Sequence, residues 1–209
     1  VHDGTAAFAS RGLVLSFFGK SSHASQPENG HNPARAISKL IIDIPELTAR
    51  EDHRGIVMAT VVCVRIGEEA FGTNAGFGQL MLTIRAEFES ELDALDAEIC
   101  ARARAYARQD GITNVEVQYR DSFPETRNTP DAVAAVRKAR LECGLPEARW
   151  DEPFRSSEDF GCYTKLTSGA LFYIGCGTRH AKLHTREYDF NDEIIEPAVD
   201  MMFRLAQDA

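Results

Sequence analysis

Six histidines are the residues of this chain whose type supports general acid–base chemistry or metal binding. His180 and His184 lie four residues apart, a spacing that on a helix would place both rings on one face. Gly175, Gly177 and Thr178 just before them instead favour a loop, so the spacing gives little support for a joint metal site. His184 taken alone follows an apolar segment and precedes a helix, where open α/β sheets place ligands. The alternative is a histidine on a surface loop.

His23 and Arg85 are two further residues with chemical potential. His23 lies among small residues in a polar loop between a predicted strand and a predicted helix, from which it could reach a ligand or a partner. Arg85 lies inside an otherwise apolar strand. Its side chain either points outward on the alternate face or meets a carboxylate, because an unpaired buried charge is costly. The other histidines, His2, His31 and His53, have no partner that the sequence identifies.

The first 120 residues predict the elements that position His23 and Arg85. Alternation and β-branched residues predict four strands, and apolar residues at helical spacing predict two helices. The second helix is amphipathic, with Leu92, Leu95 and Ile99 on its apolar face and Asp93 and Asp96 on its polar face. The predicted strands are 11–19, 55–67, 79–88 and 114–120, and the helices begin at Asn32, with Pro33 in its first turn, and at Ser90. Residues 11–120 therefore predict an α+β, ferredoxin-like β-α-β-β-α-β domain with both helices on one side of the sheet.

The remaining residues, 121–209, follow a different pattern. We predict helices from Thr129 to Cys143 and over 191–205, and a further helix start at 156–159, where Glu158 would act as a cap. Residues 170–177 are continuously apolar, which is typical of a strand buried on both faces. Such a strand needs neighbours that this chain does not supply. We therefore expect residues 121–209 to be part of a larger α/β domain.

The composition of the chain argues against two classes of function, nucleic-acid binding and membrane insertion. The 209 residues carry 32 acidic and 23 basic side chains, a formal net charge of −9, which argues against binding to nucleic acid. No apolar run approaches the ~20 residues that span a bilayer, so we expect no membrane segment. The five cysteines show no CxxC spacing and are expected to be buried free thiols in a reducing cytoplasm. The chain has neither an initiator Met nor a signal peptide, so we expect it to begin inside a longer cytoplasmic gene product.

Three ordered motifs carry a resemblance to a known family. Residues 19–37 resemble the signature G-x-x-x-H-A-x-x-P-x-x-G-x-(D/N)-x-x-x-A-(I/A) of the M20 metallopeptidase and amidohydrolase family. Residues 157–160 resemble the SEDF segment of its N-acyl amino acid amidohydrolase branch. Residues 183–193 resemble the H-x-x-x-(Y/F)-D-F-(N/D)-(D/E) ending of the same branch. The resemblance covers nearly the whole chain.

The resemblance implies a metal-dependent hydrolysis of the amide bond of N-acyl amino acids or similar small amides. Two divalent metal ions, usually zinc and alternatively manganese or cobalt, would activate a bridging water, and a glutamate would act as general base. By the motif match, His184 would be the last metal ligand and His23 would reach across a dimer to the developing oxyanion. Asn74 would assist His23, and Arg85 would bind the free carboxylate of the substrate.

The resemblance also implies the roles of the two parts of the chain. Residues 11–120 would be a lid that mediates homodimerisation, and residues 121–209 would be the C-terminal segment of the α/β dimetal catalytic domain. The family's other metal ligands and its paired glutamates precede the lid and have no counterpart here, so this chain alone is expected to be inactive. The alternatives are an M20-type dipeptidase or deacetylase and a non-catalytic dimerisation or binding module.

Overall fold

The computed structural model describes residues 1–148, 152–177, 181 and 183–207. The chain divides into two compact units. The sheet unit comprises Ala7–Glu125 and Arg155–Glu158. The helical unit comprises Val1–Ala6, Thr126–Phe154 and Asp159–Ala209, with the gaps given above.

The sheet unit contains four long strands and two helices in the predicted β-α-β-β-α-β order. The elements are β2 (Ala9–Phe18), β3 (Ser22–His23), α1 (Ala34–Thr48), β4 (Val57–Ile66), β5 (Thr73–Asn74), β6 (Phe77–Ala86), α2 (Glu89–Gln109) and β7 (Asn114–Phe123). The four long strands pair antiparallel in the spatial order β4-β6-β2-β7, and the two short strands, β3 and β5, pair with each other outside this sheet.

The core of the sheet unit lies between the sheet and the two helices. On β6 the buried residues Leu80, Leu82 and Ile84 alternate with half-buried ones, as expected for a strand with one face on a core. The apolar face of α2, including Leu92 and Ile99, is buried in the same cluster. Burying these side chains supplies the main favourable free energy of folding of this unit.

Asp96 corrects the prediction for the second helix. The sequence places it on the polar face, whereas its residue is only 5% exposed. The reason is Arg11 on β2, whose Nη1 donates to Asp96 Oδ2 at 2.6 Å, while Nη2 donates to Asp93 Oδ1 at 2.9 Å. A buried carboxylate is tolerated because this guanidinium pairs with it.

The helical unit contains β1 (Gly4–Ala7), β8 (Thr126–Asn128), α3 (Pro130–Glu142), α4 (Gly161–Thr164) and α5 (Ile195–Gln207). β1 pairs with β8, and α3 packs on α5 through Val136, Ala139 and Met201. The helices predicted over 129–143 and 191–205 are thus present as α3 and α5. No described helix of the chain is long and apolar enough to cross a membrane.

Two predictions for this unit are wrong. Residues 170–177 form no strand; the backbone of Leu171 is bound instead by the side chain of Asn128, at 2.8 and 3.0 Å. A strand needs a neighbouring ladder, and the described residues provide none for this segment. The helix expected at 156–159 begins only at Gly161 and has no side-chain cap, so Glu158 does not cap it.

The cysteines are all free, as predicted, but their burial differs from the expectation. Cys100 is buried, Cys162 is exposed, and the other three are half-buried. Cys162 is exposed because it lies on the four-residue helix α4, which the rest of its unit leaves open to solvent.

Candidate active site

His23 lies on a loop whose backbone is tied down on both sides. In the β3–β5 pair it lies opposite Thr73. The next residue, Ala24, donates its N–H to Gly72 O at 3.0 Å, and Gln26 N–H donates to His23 O at 2.9 Å. The side chain of His23 is exposed while its backbone is fixed, an arrangement suited to presenting a polar ring to a ligand.

Asn74 holds this loop together with both ends of its amide. Nδ2 donates to Ser22 Oγ at 3.0 Å and to Pro27 O at 3.4 Å, and Oδ1 accepts from Asn32 Nδ2 at 2.8 Å. Asn32 Oδ1 in turn accepts from the backbone N of Ala34, the first residue of α1, at 2.8 Å. The hydrogen bonds of Asn74 therefore connect β3 and the turn after it to the start of a core helix.

Glycines in the loop are required by close backbone approaches. A Cβ on Gly76 would collide with the backbone N of Ser21 and lie 2.6 Å from the carbonyl carbon of Lys20. A Cβ on Gly30 would lie 2.6 Å from Ser22 Oγ and 2.8 Å from Asn74 Nδ2. No side chain fits at these positions without displacing the residues that carry His23.

Arg85 adopts the outward alternative. On β6, Leu82, Ile84 and Ala86 are buried on the face towards the helices, whereas Arg85 is half-buried. Its Nη1 donates to Ser157 Oγ at 2.8 Å and to Arg155 O at 3.1 Å. In the described part of the chain no carboxylate forms an ion pair with Arg85. The guanidinium thus holds the 155–158 segment against the sheet, and its binding of a substrate carboxylate stays a prediction.

His184 is exposed, in a turn with φ +63°. This left-handed conformation is uncommon for residues other than glycine and is enriched at functional positions. His180, the other member of the spaced pair, lies outside the described residues. Among the described residues no group of three His, Cys, Asp or Glu side chains is placed to hold a metal ion. A catalytic ion takes three protein ligands, so these residues alone do not fit a metal centre.

The sequence does not indicate two of the contacts that His23 and Arg85 make. Ser25 contacts the ring of His23, and Ser157 contacts Arg85. Ser25 lies two residues after His23, a spacing at which a backbone N–H can fold back onto a side chain, and this local signal could have identified it. Ser157 is distant in sequence from Arg85, and no local pattern predicts that contact.

Residues 23–208 match the model of peptidase family M20/M25/M40. The chain belongs to this family. An N-acetyldiaminopimelate deacetylase of Bacillus licheniformis is 27% identical over 198 residues, which are 91% of this chain and 50% of that protein. A hippurate hydrolase of Campylobacter jejuni is 22% identical over 195 residues, covering 92% of this chain and 50% of that protein.

Two solved structures share the fold. A putative aminohydrolase from methicillin-resistant Staphylococcus aureus superposes with a TM-score of 0.84 at 18% identity, covering 99% of this chain and 54% of that one. A dinuclear metal-binding peptidase of the M20 family from Bacillus subtilis gives a TM-score of 0.75 at 17% identity, covering 99% of this chain and 51% of that one. The chain spans about half the length of the curated relatives it matches.

Proposed function

We propose that this M20 chain is part of an amidohydrolase that cleaves the amide bond of N-acyl amino acids or similar small amides. The observation that carries the proposal is the exposed ring of His23 on a backbone fixed by hydrogen bonds on both sides. Two relatives bear names that support the substrate class, because N-acetyldiaminopimelate and hippurate are both N-acyl amino acids.

In this proposal His23 donates a hydrogen bond to the carbonyl oxygen as it becomes an oxyanion. A fixed donor acts in the transition state without reorganisation, which is why it lowers the barrier. Asn74 keeps the His23 loop in register with α1 through its bonds to Ser22 and Asn32. Arg85 has a planar guanidinium suited to a carboxylate and would bind the free carboxylate of the substrate.

The proposal assigns the sheet unit as a ferredoxin-like lid that pairs with a second copy of itself. Its edge strand β4 exposes Val61, Val62 and Val64 by 37%, 63% and 40%, so an apolar edge is open to a partner. In such a dimer His23 would serve the active site of the partner.

His184 is proposed as one ligand of a centre with two divalent metal ions. The described residues do not complete that centre. The alternative from a different class is a binding or dimerisation module without chemistry. A dipeptidase or deacetylase of the same family is the alternative within the enzyme class.

The test measures metal content and hydrolysis together. Purified protein is assayed against N-acetyl, N-benzoyl and dipeptide substrates, alone and joined to a polypeptide that supplies the other half of the relatives' length. Hydrolysis of N-acyl amino acids by the joined protein, with about two metal ions bound, supports the proposal. Preference for dipeptides would assign the peptidase alternative, and absence of both metal and turnover would assign the binding module.

A further inference from the structure

We propose that Ser25 is a positioning residue that fixes the neutral ring of His23 as the Nε2–H tautomer. This inference rests on the proposed function for its catalytic meaning, since it states which nitrogen of His23 carries the donated hydrogen. Its structural content concerns only residues of the loop itself.

The geometry around Nδ1 decides the tautomer. The backbone N of Ser25 lies 3.2 Å from His23 Nδ1, and the Ser25 hydroxyl oxygen lies 2.7 Å from the same atom. A backbone N–H can only donate, so Nδ1 must offer its lone pair. In a neutral imidazole the hydrogen is then on Nε2. The serine hydroxyl can donate to the same lone pair and strengthen this choice.

Ser25 is held in place to do this. The Gln26 N–H to His23 O bond closes a turn that contains Ser25, and the Ala24 N–H to Gly72 O bond ties that turn to the chain before β5. The direction of the Ser25 N–H is therefore set by the backbone and not by a free side chain. Since the His23 ring is exposed, its contact with Ser25 is the restraint on its orientation that the described residues provide.

The tautomer determines what the outer nitrogen can do. With hydrogen on Nε2, the exposed ring presents an N–H donor, which stabilises a developing negative charge. With hydrogen on Nδ1, Nε2 would instead present a lone pair, which would repel an oxyanion. Ser25 thus makes His23 a hydrogen-bond donor rather than a proton acceptor.

The experiment reads the tautomer by long-range ¹H–¹⁵N correlation spectra of the chain, recorded on the high-pH plateau of the His23 signals, where the ring is neutral. The His23 signals are assigned by their loss in His23→Gln. We expect Nε2–H to dominate in the wild type, and Ser25→Ala to lower the ratio of Nε2–H to Nδ1–H about threefold or more. Ser25→Thr keeps the hydroxyl and should restore the ratio. Ser21→Ala, in the same loop, serves as the control.

A wild-type ratio equal to that of free imidazole would overturn the tautomer assignment. An unchanged ratio in Ser25→Ala, which keeps the backbone N–H, would overturn the role of the Ser25 side chain. Neither depends on catalysis, so failure of the proposed function is recorded separately by the hydrolysis assay. In a preparation that hydrolyses amides, Ser25→Ala should lower kcat while KM changes little, because the donor acts in the transition state. A change confined to KM would contradict the positioning role.

Discussion

At the scale of single residues, Cys100 and Cys162 are the same chemical group in two opposite environments. Burial raises the pKa of the Cys100 thiol to about 12, and the thiol also donates to Asp96 Oδ1 at 3.3 Å. Cys162 is exposed. Only a thiolate reacts with alkylating agents, so iodoacetamide near neutral pH should modify Cys162 and leave Cys100 intact until the protein is unfolded. Peptide mass spectrometry measures this, and equal rates at the two cysteines would disprove the burial described for Cys100.

Several hydrogen bonds of the His23 loop join residues that are far apart in the sequence, and local sequence patterns do not predict such bonds. The motif identifies His23 and its glycines, and the Asn-Pro step indicates that a helix begins near Asn32. The bonds of Asn74 to Ser22 and Asn32 join residues 52 and 42 positions apart, so no local pattern indicates them. The burial of Asp96 is equally hidden, because its partner Arg11 lies 85 positions away.

At the scale of elements, the close approach between the chain before β3 and the chain before β6 depends on Gly76. Gly76→Ala places a methyl group against the backbone of Lys20 and Ser21, so β3 must move and carry His23 with it. We expect a lower melting temperature and shifted amide resonances over residues 20–32. Gly72→Ala is the matched control, since no atom lies within 4 Å of its added Cβ. Equal effects of the two substitutions would show that the close approach at Gly76 does not hold this loop.

The contact between α1 and α2 predicts a dependence of stability on pH. Partial burial raises the pKa of Asp43, but hydrogen bonds from Tyr106 and Arg102 outweigh it and leave that pKa below its ordinary value. A carboxyl group whose pKa is lowered in the folded state contributes stability at pH values above its unfolded-state pKa. This contribution is lost as the pH falls through the folded-state pKa. Asp43→Asn should therefore cost about 1 kcal/mol in the free energy of unfolding at neutral pH and progressively less below pH ~4.

Denaturant titrations at several pH values measure this difference. Asp52→Asn is the control, because Asp52 pairs with Arg50 on the open surface and such pairs contribute little. A cost of Asp43→Asn that does not change with pH would mean that the α1–α2 contact depends on shape and not on the carboxylate charge.

The sequence predicts a helix or strand of this chain correctly where the buried face of that element gives a periodic pattern of apolar residues. The strands and helices of the sheet unit bury one face each, and alternation or helical spacing reveals that face. Residues 170–177 fail because a doubly buried strand is defined by its neighbours, and the described residues of this chain do not supply them. On α5, the apolar residues Ile195, Val199, Met202 and Phe203 are at least half exposed.

At the scale of the whole molecule, the lid proposal predicts self-association through the edge strand β4. Light scattering at high protein concentration should give the mass of a dimer. Val62→Lys, which places a charge on the exposed apolar edge, should shift the protein towards monomer. Gln118→Lys, on the opposite edge strand β7, should leave the dimer intact. A wild-type monomer at all concentrations would contradict the lid assignment.

One comparison of turnover tests whether His23 stabilises the oxyanion of amide hydrolysis. His23→Ala and the control His31→Ala are introduced into the protein joined to the other half of its family's length, and N-acyl amino acid hydrolysis is measured with metal content. We expect His23→Ala to lower kcat about 10²-fold or more with unchanged metal content, while His31→Ala retains activity. Unchanged turnover in His23→Ala would show that His23 is a surface histidine without this role.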